Sequence, residues 1–304
     1  MGAEISKNQE LAKLSFYGIG GVADEVWKIG DRESLRESWA DTIAEKIPKF
    51  VLGSGSNCVF SDRGFRGRIF ILTDESVEKR GNFWTINAGK KLQNLVEESA
   101  AAGFEDLKNL SGIPGTIGGA VRGNAGAFGC EICDAIAAVE FFDDAGNLKI
   151  LKSGDCDWNY RSSIFKKNPD WCVARAVLRF EKIGDPEKIS AEVKNLKNER
   201  WQKYPPGRSG GSFFKNPRSG TFSDTGEKFT AGKLLEKSGA KKDRIGAVEI
   251  SEKHANFFLN LGNAKQDDLV ALARKWKKIV AEKFGVELEP EIAIVDEWGG
   301  KVEI

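Results

Sequence analysis

Three polar stretches carry side chains of the kinds that do chemistry. Tyr160-Arg161-Ser162-Ser163-Ile164-Phe165-Lys166 sets a guanidinium between aromatic residues. Arg161 is either a surface side chain laid along apolar neighbours or a fixed positive charge. Gly210-Gly211-Ser212-Phe213-Phe214-Lys215-Asn216-Pro217 places a serine between two glycines and two phenylalanines. Ser212 is either a turn residue or a hydroxyl held rigidly at a dry wall. In Glu289-Pro290-Glu291-Ile292, Glu291 leads into an apolar strand. It is either a solvated acid or a carboxyl at a dry strand mouth.

Two glycine-rich stretches add a different chemistry. Gly112 to Gly129, GIPGTIGGAVRGNAGAFG, holds seven of the 34 glycines. Backbone without Cβ atoms can approach a flat or anionic group closely. A string of tight turns would use the same residues, but Ile113, Pro114, Ile117 and Val121 can anchor the stretch on a scaffold, which favours a cofactor cradle. Gly53-Ser54-Gly55-Ser56-Asn57 lies between two apolar runs. It lacks the third glycine and following helix of a Rossmann fingerprint. It could still offer successive N–H groups, with its serines and Asn57, to a pyrophosphate.

The elements that must position these groups read as α+β. Strands are expected at 25–29, 50–52, 58–60, 68–72 and 83–86, with a turn at Gly81-Asn82. Leu35, Trp39 and Ile43 are spaced for a helix, as are Leu92, Leu95 and Val96. Asp143-Asp144-Ala145-Gly146-Asn147 between apolar runs predicts a hairpin. Cys172 to Phe180 alternates as a strand with one wet face. Ile189, Val193 and Leu196 begin an amphipathic helix, and Leu234 and Leu235 lie on one stopped by Gly239. The clearest helix spans 267–284, with an apolar stripe from Leu269 to Phe284. Asn263 with Gln266 is expected to cap it, and Gly285 to end it. Residues 292–295 close as a strand. Gly184-Asp185-Pro186 marks a domain boundary, so residues 1–183 (subdomains about 1–75 and 76–183) and 184–304 are expected to be separate domains.

Composition excludes several classes. Lys and Arg total 46 against 45 Asp and Glu, so no basic field argues for nucleic acid. No run approaches the roughly 18 apolar residues of a membrane helix. The first residues lack the apolar core of a signal peptide. Met1-Gly2 with Ser6 has the outline of a myristoylation site, read here as a chance match. Five cysteines, an odd number, fit a reducing compartment and a cytoplasmic location. Cys130 and Cys133 form a C-x-x-C pair, but the one histidine, His254, is far along the chain. Neither a zinc site nor a redox pair is expected.

GSGSN at 53–57, GIPGTIGGA and NAGAFG within 112–129, YRSSIF at 160–165, GSFFKNP at 211–217, KHANF at 253–257 and LEPE at 288–291 follow in this order. Together they resemble the UDP-N-acetylenolpyruvoylglucosamine reductase family, over about residues 14–296. The resemblance implies a FAD-binding region of the p-cresol methylhydroxylase type followed by a substrate domain. It implies reduction of UDP-N-acetylglucosamine enolpyruvate to UDP-N-acetylmuramate in peptidoglycan synthesis, by a monomer, with NADPH as co-substrate. By match, Gly53, Ser54, Gly55, Ser56 and Asn57 would hold the FAD pyrophosphate. Gly112, Ile113, Pro114, Gly115, Gly118, Gly119, Asn124 and Gly126 would line the rest of the flavin. Arg161, Ser212 and Glu291 fall on catalytic positions. Tyr160, Arg200, Lys203, Lys215, Asn216 and His254 would face the substrate, His254 as a structural support or a backing contact.

The implied chemistry explains these residue types. Hydride added to the vinyl carbon leaves negative charge on the carboxylate side, which a guanidinium suits. Ser212 would protonate the alpha carbon. Glu291 would polarise the enol, a role needing a raised pKa. Flavin attachment should be non-covalent, since no histidine stands near the pyrophosphate loop. The tyrosine-bearing insertion of some members is missing after Phe180, so Tyr204 or Arg208 is expected to help close over substrate. Ser15 stands where threonine is usual, and Arg122-Gly123 where a bulkier apolar residue is usual. Two rival readings are an alcohol or phenol oxidase on the same FAD fold and an inactive sugar-nucleotide-binding protein.

Overall fold

The computed structural model describes residues 2–217 and 229–304; Met1 of the myristoylation outline lies outside the described residues. In chain order the first half forms β1 (Glu4–Glu10), β2 (Val22–Ile29), α1 (Arg32–Ala44), β3 (Lys49–Val51), β4 (Cys58–Phe60), β5 (Phe65–Leu72), β6 (Val77–Arg80), β7 (Phe83–Asn87) and α2 (Leu92–Ala101). Then come α3 (Ile117–Gly123), β8 (Gly126–Ala127), β9 (Cys130–Glu131), β10 (Ile136–Phe142), β11 (Leu148–Lys152), α4 (Ile164–Lys167), β12 (Cys172–Arg179) and α5 (Pro186–Lys203). The chain ends with α6 (Ala231–Ser238), β13 (Arg244–Ile245), β14 (Val248–Ile250), β15 (Phe258–Asn260), α7 (Gln266–Phe284) and β16 (Ala293–Val295). The content is α+β, as expected.

Two compact units result. The first comprises Met1–Lys7, Glu25–Ser54 and Gly67–Lys203; the second comprises Asn8–Asp24, Gly55–Arg66 and Tyr204–Ile304. These bounds do not coincide with the expected division at 183/184. Ile189 and Val193 of α5 are buried in the same apolar cluster as Leu92, Leu95 and Val96 of α2, which keeps α5 in the first unit. Tyr17, Ile19 and Val59 are buried in the cluster of the second. Such non-local packing leaves no mark in local composition.

In the first unit an antiparallel sheet runs β11-β10-β12-β7-β6. The alternation of β12 buries Ala176 and Leu178, while Arg175 stands opposite Glu140 and binds it at 2.9 and 3.0 Å. The β10–β11 hairpin closes because Asp143 Oδ1 accepts from Ala145 N at 3.0 Å and Asn147 N at 2.7 Å, with Gly146 at φ 79°. A second sheet has the order β1-β2-β5-β3. On α1, Leu35 and Trp39 bury with Phe70 of β5, the two rings 5.2 Å apart edge to face.

In the second unit α7 buries Leu269, Leu272, Ala273, Trp276 and Val280 along one stripe. Its N-terminus departs from expectation. Lys265 is the N-cap residue and offers no side-chain bond. Asn263 does not cap the helix; Asp62 Oδ2 accepts from Gln266 N at 2.8 Å instead. Gln266 Nε2 in turn donates to Val59 O at 3.4 Å and Val295 O at 2.9 Å, beside the parallel pair β4–β16. Residues past β16 fold back: Val302 N donates to Ile294 O at 2.9 Å, and Val302 and Ile304 pack on the core. Among the described residues no helix is long and apolar enough to cross a membrane.

Asp62→Ala should therefore lower the unfolding free energy by about 1 kcal/mol in urea denaturation. Asn263→Gly, which keeps the left-handed backbone, should stay within about 0.5 kcal/mol. The reverse ranking would restore Asn263 as the cap.

Candidate functional site

In the first unit the glycine stretch is built against residues 88–92. Ile117 N donates to Lys90 O, Gly118 N to Ala88 O at 2.9 Å and Leu92 N to Gly115 O at 3.0 Å. Ile117 and Val121 are fully buried and Ile113 packs on the core, so they anchor the stretch; Pro114 is exposed. The stretch is not only loop, because α3 lies inside it with Thr116 as N-cap. A Cβ on Gly53 would lie 2.8 Å from Thr116 Oγ1, and one on Gly118 would lie 3.0 Å from the Ala88 Cβ. Bare main chain is thus favoured at both positions, most at Gly53, where the two glycine runs meet. At Gly123 a Cβ would meet nothing within 4 Å, and at Gly119 only Thr116 Oγ1 at 3.7 Å. These two positions leave main chain open to whatever lies alongside.

Asn124 acts as a post for the stretch. It is fully buried at φ 44°. Its Nδ2 donates to Glu131 Oε2 at 2.7 Å and Asn159 O at 3.1 Å, and its Oδ1 accepts from Cys133 N at 3.4 Å. That ties the glycine stretch to the base of a tight turn, Asn159–Ser162, closed by reciprocal backbone bonds of 3.0 and 2.9 Å. Tyr160 and Arg161 form the tip, Arg161 at φ 54° with its guanidinium 5.1 Å from the Tyr160 ring. Arg161 Nη2 donates to Gly126 O at 2.7 Å, which sets the charge against the glycine stretch. Ser163 Oγ donates to Arg122 O at 2.7 Å and braces the same turn. Arg200 is 8% exposed, with its Cδ 2.9 Å from where Gly112 would carry a Cβ. Its guanidinium and the Lys203 ammonium lie 5.3 and 5.9 Å from the Phe128 ring. Phe128, at φ 50° and half exposed, was not singled out by the sequence reading. Its signal was an aromatic residue among glycines. Burial and Asp134 push the Cys130 and Cys133 thiols up to about 11, so neither is a ready thiolate.

In the second unit Ser212 and Glu291 sit on adjoining extended segments. Glu291 N donates to Phe213 O at 2.8 Å, and Lys215 N to Glu289 O at 2.8 Å. Phe213 and Phe214 are fully buried, which fixes the backbone that follows the half-buried Ser212. Asn256 brackets this strand: it donates to Phe214 O at 2.8 Å and accepts from Phe214 N at 2.9 Å. The sequence reading missed Asn256, although it stands inside the KHANF motif. Gly210 is required because a Cβ there would lie 2.5 Å from the Tyr17 ring. Asn57 Nδ2 donates to Glu291 O at 3.3 Å. Gly53 and Ser54 belong to the first unit, and Gly55, Ser56 and Asn57 to the second. Lys215 pairs with Glu289 at 3.0 Å. Asn216 Oδ1 accepts from Ala231 N at 3.1 Å, at the start of α6.

His254 is half-buried against Phe257, and its Nδ1 accepts from Asn256 N at 3.2 Å. Desolvation lowers its pKa from the ordinary 6.5, so the folded state binds fewer protons there. Its contribution to stability is present above pH 6.5 and is lost as pH falls. His254→Gln should therefore gain on the native protein in unfolding free energy as pH drops from neutral toward 5; a constant difference would contradict this. Asn124→Ala should cost about 2–3 kcal/mol in the flavin-free protein, by unfolding in urea. No loss there would return Asn124 to a simple lining role.

Comparison with known proteins covers both units. Residues 202–295 match the family described as UDP-N-acetylenolpyruvoylglucosamine reductase, C-terminal domain, and residues 23–152 match the FAD binding domain family. The UDP-N-acetylenolpyruvoylglucosamine reductase of Caldanaerobacter subterraneus subsp. tengcongensis is 37% identical, across 95% of this chain and 93% of its own. That of Fusobacterium nucleatum is 36% identical, across 96% and 99%. The crystal structure of the Thermus caldophilus UDP-N-acetylenolpyruvylglucosamine reductase aligns at TM-score 0.77 and 33% identity, across 96% of this chain and 98% of that one. This chain belongs to the UDP-N-acetylenolpyruvoylglucosamine reductase family.

Proposed function

We propose that the protein reduces UDP-N-acetylglucosamine enolpyruvate to UDP-N-acetylmuramate, with NADPH as electron donor and non-covalently held FAD as carrier. The observation that carries this reading is the bond from Arg161 to the Gly126 carbonyl, which sets a permanent cation on the bare glycine stretch. The stretch fits a flavin nucleotide: its main chain is open at Gly119 and Gly123, and a Cβ would be crowded at Gly118 and, beside the stretch, at Gly53. Gly53, Ser54, Gly55, Ser56 and Asn57 would hold the pyrophosphate. Gly112, Ile113, Pro114, Gly115, Gly118, Gly119 and Gly126 would line the remainder, with Asn124 holding their shape. The single histidine, His254, is engaged by Asn256 and Phe257, which favours non-covalent attachment.

When bound, FAD supplies hydride transfer from NADPH to the vinyl carbon of the substrate. Arg161 stabilises the negative charge that builds on the carboxylate side, and its charge cannot be lost by deprotonation. Ser212 gives its hydroxyl proton to the alpha carbon, completing addition of one hydride and one proton across the double bond, and its alkoxide then takes a proton back from solvent. Burial of Phe213 and Phe214 fixes the main chain that follows Ser212. Glu291, on the adjoining segment, polarises the enol. Tyr160, Arg200, Lys203, Lys215 and Asn216 contribute contacts to the sugar nucleotide, and Tyr204 or Arg208 helps to close over it. His254 supports the Ser212 strand through Asn256. We place the enzyme in the cytoplasm as a monomer.

Rapid-mixing kinetics test the assignment. Ser212→Ala should lose on the order of 10²–10⁴ in reoxidation of the reduced flavin by the enolpyruvyl substrate. Flavin reduction by NADPH should stay near the native rate. Equal loss in both half-reactions would remove Ser212 from the proton transfer.

A further inference from the structure

Lys91 offers a cation that nothing in the reading above uses. It is an exposed residue at the N-cap of α2, and its backbone bridges Thr116. The preceding lysine is neutralised: Lys90 is buried and pairs with Glu98. Lys91 turns the other way. Its Nζ reaches the Ser54 hydroxyl at 3.3 Å, the one polar partner its ammonium has among the described residues. Ser54 adjoins Gly53, where a Cβ would lie 2.8 Å from Thr116 Oγ1. Leu92 N donates to Gly115 O, and Ile117 N to Lys90 O, so the root of Lys91 is bonded to the second glycine run on both sides. A positive charge is thus rooted where two glycine runs meet and is offset by no carboxylate there.

We propose that Lys91 is a cofactor-binding residue whose ammonium neutralises the pyrophosphate of FAD across the Gly53-Ser54 turn. The inference rests on the flavin reading above. Main-chain N–H groups hold a pyrophosphate by dipoles alone. A lysine adds a point charge to that cradle and makes binding salt-dependent. The Ser54 hydroxyl, an acceptor for the ammonium here, would turn to donate to a phosphate oxygen once one is present.

Flavin-free protein, titrated with FAD by fluorescence quenching, tests this apart from turnover. Lys91→Gln should raise the FAD Kd about tenfold or more, the scale of a hydrogen bond to a charged group. Lys91→Arg should recover most of the loss. The salt dependence of the Kd should be shallower in Lys91→Gln than in the native protein. ADP as competitor should lose affinity in parallel with FAD, while adenosine should not. A Kd within twofold of native in Lys91→Gln, or equal loss for ADP and adenosine, would overturn the role of Lys91. Failure of the native protein itself to bind FAD would instead sink the flavin reading on which it rests.

Discussion

Bare main chain is the constraint on which the site depends. Where Gly53 meets Thr116 a methyl group would force a shift, and where Gly118 meets Ala88 it would crowd its neighbour. The surrounding packing enforces that closeness. Ile117 and Val121 sink into the core, and residues 88–92 bond along the stretch. A cradle made this way has its shape before any ligand arrives, so little ordering cost falls on binding.

The charged group of the first unit is placed by the same constraint. Arg161 stands at the tip of a two-residue turn in left-handed backbone, a conformation that costs about a kilocalorie per mole or more for a residue with a Cβ. That cost is offset by the bond to Gly126 O and by Asn124, which fastens the turn's base. In the second unit the logic is burial. Two phenylalanines and the Asn256 amide clamp one strand, and Ser212 and Glu291 flank it. Each unit thus holds these side chains by fixing the backbone on which they stand.

Much of this was legible in the sequence. Turn chemistry announced the β10–β11 hairpin, and periodicity announced α7 and β12, because those signals are local. The motif order pointed to the family. Three features were not legible. Asp62 caps α7 from 204 positions earlier in the chain, and a nearby Asn–Gln pair made a false capping signal. The compact units recruit residues 8–24 and 55–66 through buried Tyr17, Ile19 and Val59, which no composition shift reveals. The bonds of the Asn124 amide to Glu131, Asn159 and Cys133 are the third, because a motif match says nothing of side-chain partners.

The central claim is that a flavin carries electrons from a nicotinamide nucleotide to an enolpyruvyl ether within this chain. An anaerobic absorption experiment addresses it directly. Purified protein should show flavin bands that bleach on adding NADPH and return on adding UDP-N-acetylglucosamine enolpyruvate, with UDP-N-acetylmuramate formed in equal amount. Flavin that bleaches but is not restored by that substrate, or protein that takes up no flavin, would contradict the account.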